Sequence, residues 1–157
     1  MEAMDNLRLR EAARVIVLDE NARVLLLRYD EQGGFWATPG GGVEPGEATE
    51  AAALRETHEE LGIRLLVAGP AVAVRTKELQ FGNERVRQTE TYYLATVAAD
   101  SIDLTPANHP DTIRERRWWT VDELTRTDAT VYPTGLANVI SRYLVNGVPT
   151  KPITLTG

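Results

Sequence analysis

Apolar residues along this chain fall into runs whose period changes from one segment to the next. Ala13 to Leu18 and Val24 to Arg28 are nearly continuous apolar runs, as strands covered on both faces are. Between them Asp19-Glu20-Asn21-Ala22 predicts a hairpin turn. Residues 1–10 are expected to form a loose lead-in. Phe35-Trp36 follow Gly33-Gly34 and carry the chain to a glycine-rich loop, Pro39-Gly40-Gly41-Gly42, with Trp36 read first as a core aromatic beneath it. Glu47 to Leu61 predicts a helix stopped by Gly62, with Ala51, Leu54 and Leu61 forming its core-facing side. From Arg64 to Phe81 strand segments are expected, broken near Gly69-Pro70. Gly82-Asn83 then reads as a two-residue type II′ turn, which would pair Phe81 with Glu84, Lys77 with Gln88 and Arg75 with Glu90. Ala98 to Asp111, with Pro106 and Pro110, is expected to be a flexible loop that carries His109 as an exposed residue. A strand over Ile113 to Thr120, a turn or two of helix over Val121 to Thr125 and a packing helix over Gly135 to Val145 complete the pattern.

Composition narrows the classes. A chain of 157 residues with 43% hydrophobic and 25% charged residues is an ordinary globular sequence, read as one domain over 1–157. It has no cysteine, which excludes disulfides, thiolate catalysis and cysteine zinc sites. The net charge of −6 argues against a general nucleic-acid binder. No apolar run approaches the ~18 residues of a membrane span, and the polar start Met-Glu-Ala-Met-Asp does not resemble a signal peptide. The cytoplasm is therefore the expected compartment. Arg75, Lys77, Arg85 and Arg87 make the predicted hairpin the basic region of an acidic chain, fit to meet phosphates or to keep a sheet edge soluble.

The strongest chemical signal lies on the first predicted helix. At about 100° per residue, Glu56, Glu59 and Glu60 fall within one arc of its surface. Left to themselves they repel, by about 0.2–0.5 kcal/mol per pair, near the helix end that favours cations. Arg55 relieves part of this. The bland reading is a solvated acidic face; the glycine loop immediately upstream argues against it. Three carboxylates are hard oxygen ligands suited to Mg²⁺ or Mn²⁺, and glycine backbone at Gly40, Gly41 and Gly42 can bring N–H groups to phosphate oxygens. Side by side, the two suggest diphosphate chemistry.

These residues resemble the Nudix box: Gly, any five, Glu, any seven, then Arg-Glu-aliphatic-any-Glu-Glu-any-Gly-aliphatic. Gly41, Glu47, Arg55, Glu56, Glu59, Glu60, Gly62 and Ile63 match, and Thr57 departs from the first aliphatic position. Trp36 to Gly41 before the box and Arg117 to Leu124 after it also look like flanking features of that family. The resemblance implies an α/β fold, the Nudix α/β/α sandwich with a mixed β-sheet. It implies divalent-metal-dependent hydrolysis of a pyrophosphate bond in a nucleoside diphosphate linked to a further group X. Glu56, Glu59 and Glu60 would hold Mg²⁺ or Mn²⁺ with Gly41 shaping the loop, Arg55 would orient the glutamates, and Glu47 would support the site. The proton acceptor stays open among Glu56, Glu90 and Glu115. For Glu90 the alternative is a cross-strand salt bridge to Arg75. Substrate contacts are expected from Gly40, Gly41, Gly42, Glu47, Arg75 and Phe81. Phe81 stands where dinucleoside polyphosphate hydrolases of this family tend to carry tyrosine, and Glu78 where ADP-ribose hydrolases tend to carry proline. The implied partner is a small nucleotide or related diphosphate, with no general nucleic-acid binding and no membrane; a homodimer is left open. An isomerase on the same fold would require a cysteine, and a catalytically dead binding module would be expected to have lost box glutamates.

Overall fold

A computed structural model of the chain describes residues 7–67, 69–105 and 113–156. Among these described residues nine strands form one mixed sheet: β1 (Arg8–Leu18), β2 (Val24–Tyr29), β3 (Phe35–Ala37), β4 (Gly40–Gly42), β5 (Ala73–Phe81), β6 (Glu84–Thr96), β7 (Ile113–Trp119), β8 (Val131–Tyr132) and β9 (Ile153–Leu155). Among the described residues three α-helices accompany them: α1 (Thr49–Leu61), α2 (Val121–Arg126) and α3 (Leu136–Asn146). The main strand order is β8-β3-β2-β1-β6-β5-β9, with β4 added to β1 and β7 to β2. The spine is the parallel pair β1–β6, in register from Arg8 opposite Val86 to Leu18 opposite Thr96.

Strand alternation builds two cores from one apolar run. Ile16 and Leu18 point to one face, where they join Trp36, Tyr92, Leu94 and Trp119 beneath Leu136, Val139 and Ile140 of α3. Val15 and Val17 point to the other, against Ala52, Ala53 and Leu61 of α1 with Tyr93 and Trp118. With α1 on one face and α3 on the other, the result is a helix–sheet–helix sandwich, and the continuous apolar reading of β1 and β2 is explained. Trp36 is a core residue, edge-on to Trp119 with ring centroids 5.1 Å apart.

The hairpin register holds. Phe81 opposes Glu84, Lys77 opposes Gln88 and Arg75 opposes Glu90, around Gly82 at φ 62°. The turn at Asp19 is fixed by its own side chain, whose Oδ1 accepts from the backbone N–H groups of Asn21 and Arg23. α2 starts in a capping box formed by Thr120 and Glu123.

Several expectations need correction. The lead-in is shorter than 1–10, because Arg8 to Arg10 already pair with β6; residues 1–6 lie outside the described residues. The helix begins at Thr49, not Glu47, and its buried side is Ala52, Ala53, Thr57 and Leu61, whereas Ala51 is exposed. Small residues decide this: Ala52, Ala53 and Thr57 let α1 approach β1 closely. The departure at Thr57 is absorbed locally, since its buried hydroxyl donates to the Ala53 carbonyl at 2.8 Å. The glycine loop is in fact strand β4, antiparallel to β1. His109, Pro106 and Pro110 lie outside the described residues. No helix among the described residues is long and apolar enough to cross a membrane.

Candidate functional site

β4 and the second half of α1 face each other across a gap that admits no side chain. Gly40 pairs with Arg14 of β1, and a Cβ there would lie 2.2 Å from the Ala13 carbonyl oxygen. At Gly41 a Cβ would lie 2.1 Å from Glu56 Oε1, and at Gly42 it would lie 2.7 Å from an Arg10 guanidinium nitrogen. The glycines are needed because β1 lies on one side and functional side chains on the other. Glu60 Oε1 accepts from the Gly40 backbone N–H at 2.8 Å. Glu56 and Glu60, one helical turn apart, thus meet neighbouring glycines of the same strand.

Arg55 ties this arrangement together. Its Nε and Nη2 donate to the two carboxylate oxygens of Glu47, each at 2.9 Å; Nη2 also reaches the Gly42 carbonyl at 3.0 Å, and Nη1 reaches Glu56 Oε2 at 2.8 Å. Glu47 also accepts from the Glu44 backbone N–H at 3.0 Å. The Arg55 hydrogen bonds, then that backbone donor, hold the Glu47 carboxyl at about 2, against an ordinary 4.5. A planar guanidinium with several fixed donors suits this role in a way an ammonium does not.

The three box glutamates do not converge as expected. Glu59 is 59% exposed and lies 3.7 Å from Arg55 Nη1. Among the described residues no three histidine or acidic side chains close on one point. Like-charge repulsion favours this spread, and one nitrogen of Arg55 serves both Glu56 and Glu59. The donor set still fits a small hard cation. Glu56 turns Oε2 to Arg55 and Oε1 to Gly41, where the missing Cβ leaves room, and Glu59 reaches the same region by rotating an exposed side chain.

Beside β4 lies a cleft of about 230 Å³ lined by Arg14, Thr38, Arg75, Lys77, Glu90 and Tyr132 among others. At its base Glu90, 3% exposed, accepts from Arg75 Nε at 2.8 Å, Tyr92 Oη at 2.7 Å and Gln88 Nε2 at 2.8 Å, with Arg14 Nη2 at 3.5 Å. Burial pushes its carboxyl up, but Arg14 and Arg75 outweigh that and leave it below the ordinary range. The salt bridge to Arg75 is therefore formed. Burial lowers Arg14 in turn, and Glu90 with Tyr92, Tyr29 and Glu60 together more than offset this.

The other candidates are scattered. Phe81 is half-exposed at the end of β5, with the Arg10 guanidinium 4.2 Å above its ring. Glu115 sits on β7 opposite Arg28 and pairs with it at 3.3 Å, half-exposed and on the far side of β2 from β3. Its β7 neighbour Arg116 donates to the Glu60 backbone carbonyl at 2.8 Å, while Glu115 itself is engaged with Arg28. Four site residues were missed: Arg10, Arg14, Thr38 and Gln88. Arg10 Nη1 donates to Gln88 Oε1, which hangs its guanidinium over Gly42. A signal existed in the period-2 row Arg8, Arg10, Arg14, Ile16, which puts the arginines on one face of β1.

The family model described as NUDIX domain matches residues 8–140. The chain belongs to the Nudix family. An RNA pyrophosphohydrolase of Erythrobacter litoralis (strain HTCC2594) is 32% identical over 135 residues, covering 78% of this chain and 82% of that protein. A nucleoside triphosphatase, NudI, of Escherichia coli is 46% identical over 55 residues, 33% of this chain and 39% of its own length. Among solved structures, a MutT protein from Methanosarcina mazei Go1 aligns with a TM-score of 0.67 at 19% identity, over 92% of this chain and 99% of that one. A MutT Nudix hydrolase from Burkholderia pseudomallei aligns at 0.64 and 25% identity, over 83% and 95%. The Nudix match covers β1 to β8, α1, α2 and the start of α3, and the chain is a Nudix-type pyrophosphohydrolase.

Proposed function

We propose that this Nudix enzyme hydrolyses a pyrophosphate bond in a nucleoside diphosphate linked to a further group X, with Mg²⁺ or Mn²⁺ as cofactor. The observation that carries the reading is the meeting of Glu56 and Glu60 with adjacent glycines of β4 under the control of Arg55. Glu56, Glu59 and Glu60 would hold the cation, which when bound neutralises phosphate charge and makes water a better nucleophile. Arg55 keeps Glu56 turned to the strand, and Glu47 keeps Arg55 in place. The glycine backbone lets a phosphate chain approach β4 where any side chain would block it.

The proton acceptor is best supported as Glu56. Glu90 already accepts from three strong donors and stands beside two arginines, so a further proton there would break a buried ion pair. Glu115 is engaged in an ion pair with Arg28. The relatives named for RNA pyrophosphate and nucleoside triphosphate hydrolysis support a small nucleotide or a nucleotide-like end as substrate. A cytoplasmic setting suits such substrates.

The test is a panel of nucleoside triphosphates, ADP-ribose, diadenosine polyphosphates and nucleotide sugars with Mg²⁺ or Mn²⁺. Turnover of at least one, abolished by EDTA, is expected. Purified protein that turns over none with either metal would overturn the reading in favour of a binding module.

A further inference from the structure

The cleft beside β4 has an electrostatic character that pyrophosphate cleavage alone does not explain. Its lining carries three cationic side chains, Arg14, Arg75 and Lys77, against one carboxylate, Glu90, in a chain whose net charge is −6. Arg75 is committed to Glu90 by two contacts of 2.8 Å. Arg14 is not committed in that way: its nearest approach to Glu90 is 3.5 Å. Among the described residues Lys77 has no ion-pair partner; its ammonium lies 5.2 Å from the centre of the Tyr132 ring.

The second observation is a hydroxyl. Thr38 is 1% exposed and lines the cleft, yet its buried Oγ1 has no hydrogen-bond partner among the described residues. A buried unpaired hydroxyl is costly and rare, and here it belongs to a residue that lines the same cleft as Arg14 and Lys77. Glu90 cannot serve it, because both Glu90 oxygens already take donors. The cleft therefore offers donors and positive charge, with its one carboxylate already engaged. Its place is equally specific, since Arg14 pairs directly with Gly40 and Thr38 precedes that glycine by two residues.

We propose that this cleft is an anion subsite, which takes a phosphoryl group outside the bond being cleaved through Arg14, Lys77 and the Thr38 hydroxyl. Glu90 is then a positioning residue that sets the direction of Arg14 and Arg75. The inference rests on the pyrophosphohydrolase reading and sharpens it. The substrates it favours are nucleoside polyphosphates with a phosphoryl group to spare, over diphosphates joined to a neutral sugar.

The decisive experiment is calorimetric titration of the full chain with inorganic phosphate in EDTA, which removes metal and turnover from the readout. The parent should bind. Arg14→Gln should bind about tenfold more weakly or worse, as expected for losing a charge-assisted hydrogen bond to phosphate. Lys151→Gln, outside the cleft lining, should match the parent. Thr38→Val guards against a folding defect in the arginine variant. It removes an unpaired buried hydroxyl at nearly constant volume, so it should melt at or above the parent temperature while binding phosphate less well. In turnover, Arg14→Gln should raise KM for nucleoside triphosphates more than for a nucleotide sugar. Absence of phosphate binding by the parent, or unchanged binding by both Arg14→Gln and Thr38→Val, would overturn the subsite. Phosphate binding that follows these variants without turnover of any nucleotide would uphold the subsite and sink the hydrolase reading.

Discussion

Two adjacent glycines of β4 should respond to the same methyl group in opposite ways. At Gly40 the new Cβ meets backbone, 2.2 Å from the Ala13 carbonyl oxygen and 2.6 Å from the Arg14 Cα, at φ 144°. Strand β1 cannot yield without disturbing its pairing to β6. Overpacking against such a wall costs about 1–3 kcal/mol. The unfavourable backbone region adds about 1–3 kcal/mol. A total near 4 kcal/mol corresponds to roughly 8–16 °C in Tm for a chain of this size. At Gly41 the Cβ meets the Glu56 carboxylate, the far end of a flexible side chain, at 2.1 Å. Glu56 can swing away by about 1 Å or more at little cost to folding, but it then leaves the position that Arg55 fixes. Misplacement on that scale is worth about a hundredfold in rate. Thermal melts and pyrophosphate hydrolysis with Mg²⁺ on both variants test this. Gly40→Ala should melt far lower, whereas Gly41→Ala should melt within about 3 °C of the parent and lose activity. Full activity in Gly41→Ala would refute the claim that the close fit of Glu56 to β4 serves catalysis.

Other consequences follow from the same contacts. Arg55→Lys cannot span Glu47, Glu56 and the Gly42 carbonyl at once, so activity should fall at least about tenfold; steady-state kinetics with unchanged kcat and KM would contradict this. The Glu47 carboxyl is held at about 2 in the folded chain against an ordinary 4.5. Its stabilising contribution is therefore complete above pH ~4.5 and is lost as pH falls from there towards 2. The difference in Tm between parent and Glu47→Gln should shrink over that window, and a constant difference would refute the assignment. Thr57→Val exchanges a satisfied buried hydroxyl for a methyl group and should change stability by less than about 1 kcal/mol in urea unfolding; a larger loss would mean the bond to Ala53 matters to the helix.

What was legible in the sequence was what local chemistry decides alone. Gly62 ends α1 at φ 77°, and Gly82-Asn83 sets a register that places Arg75 opposite Glu90. Nearly unbroken apolar runs marked β1 and β2 as covered on both faces. Leu54 and Leu61 of α1 pack into the core as expected, but Ala52, Ala53 and Thr57 were not legible as core residues, because they carry weak hydropathy and are chosen for close approach to β1. Nor was β4, since three glycines give no strand signal and their pairing is dictated by β1. Arg10 was hidden by starting the strand at Ala13, which consigned it to a lead-in, and Arg14 by standing inside a run read as apolar core. The outward turn of Glu59 depends on competition for one guanidinium, and sequence spacing cannot weigh that.

The central claim is that the box carboxylates serve pyrophosphate hydrolysis and not the fold. It is tested most directly by the rate of Mg²⁺-dependent pyrophosphate hydrolysis in Glu56→Gln and Glu60→Gln, each compared with its own Tm in EDTA. Glutamine at 60 keeps an oxygen for the Gly40 N–H and removes charge from a self-repelling cluster, so that melt should match the parent or exceed it slightly; glutamine at 56 keeps an oxygen for Arg55 and should melt within about 4 °C of the parent. Activity should fall by about a hundredfold or more. Parent-like rates in both variants, or a loss of Tm in EDTA that parallels the loss of activity, would contradict the account.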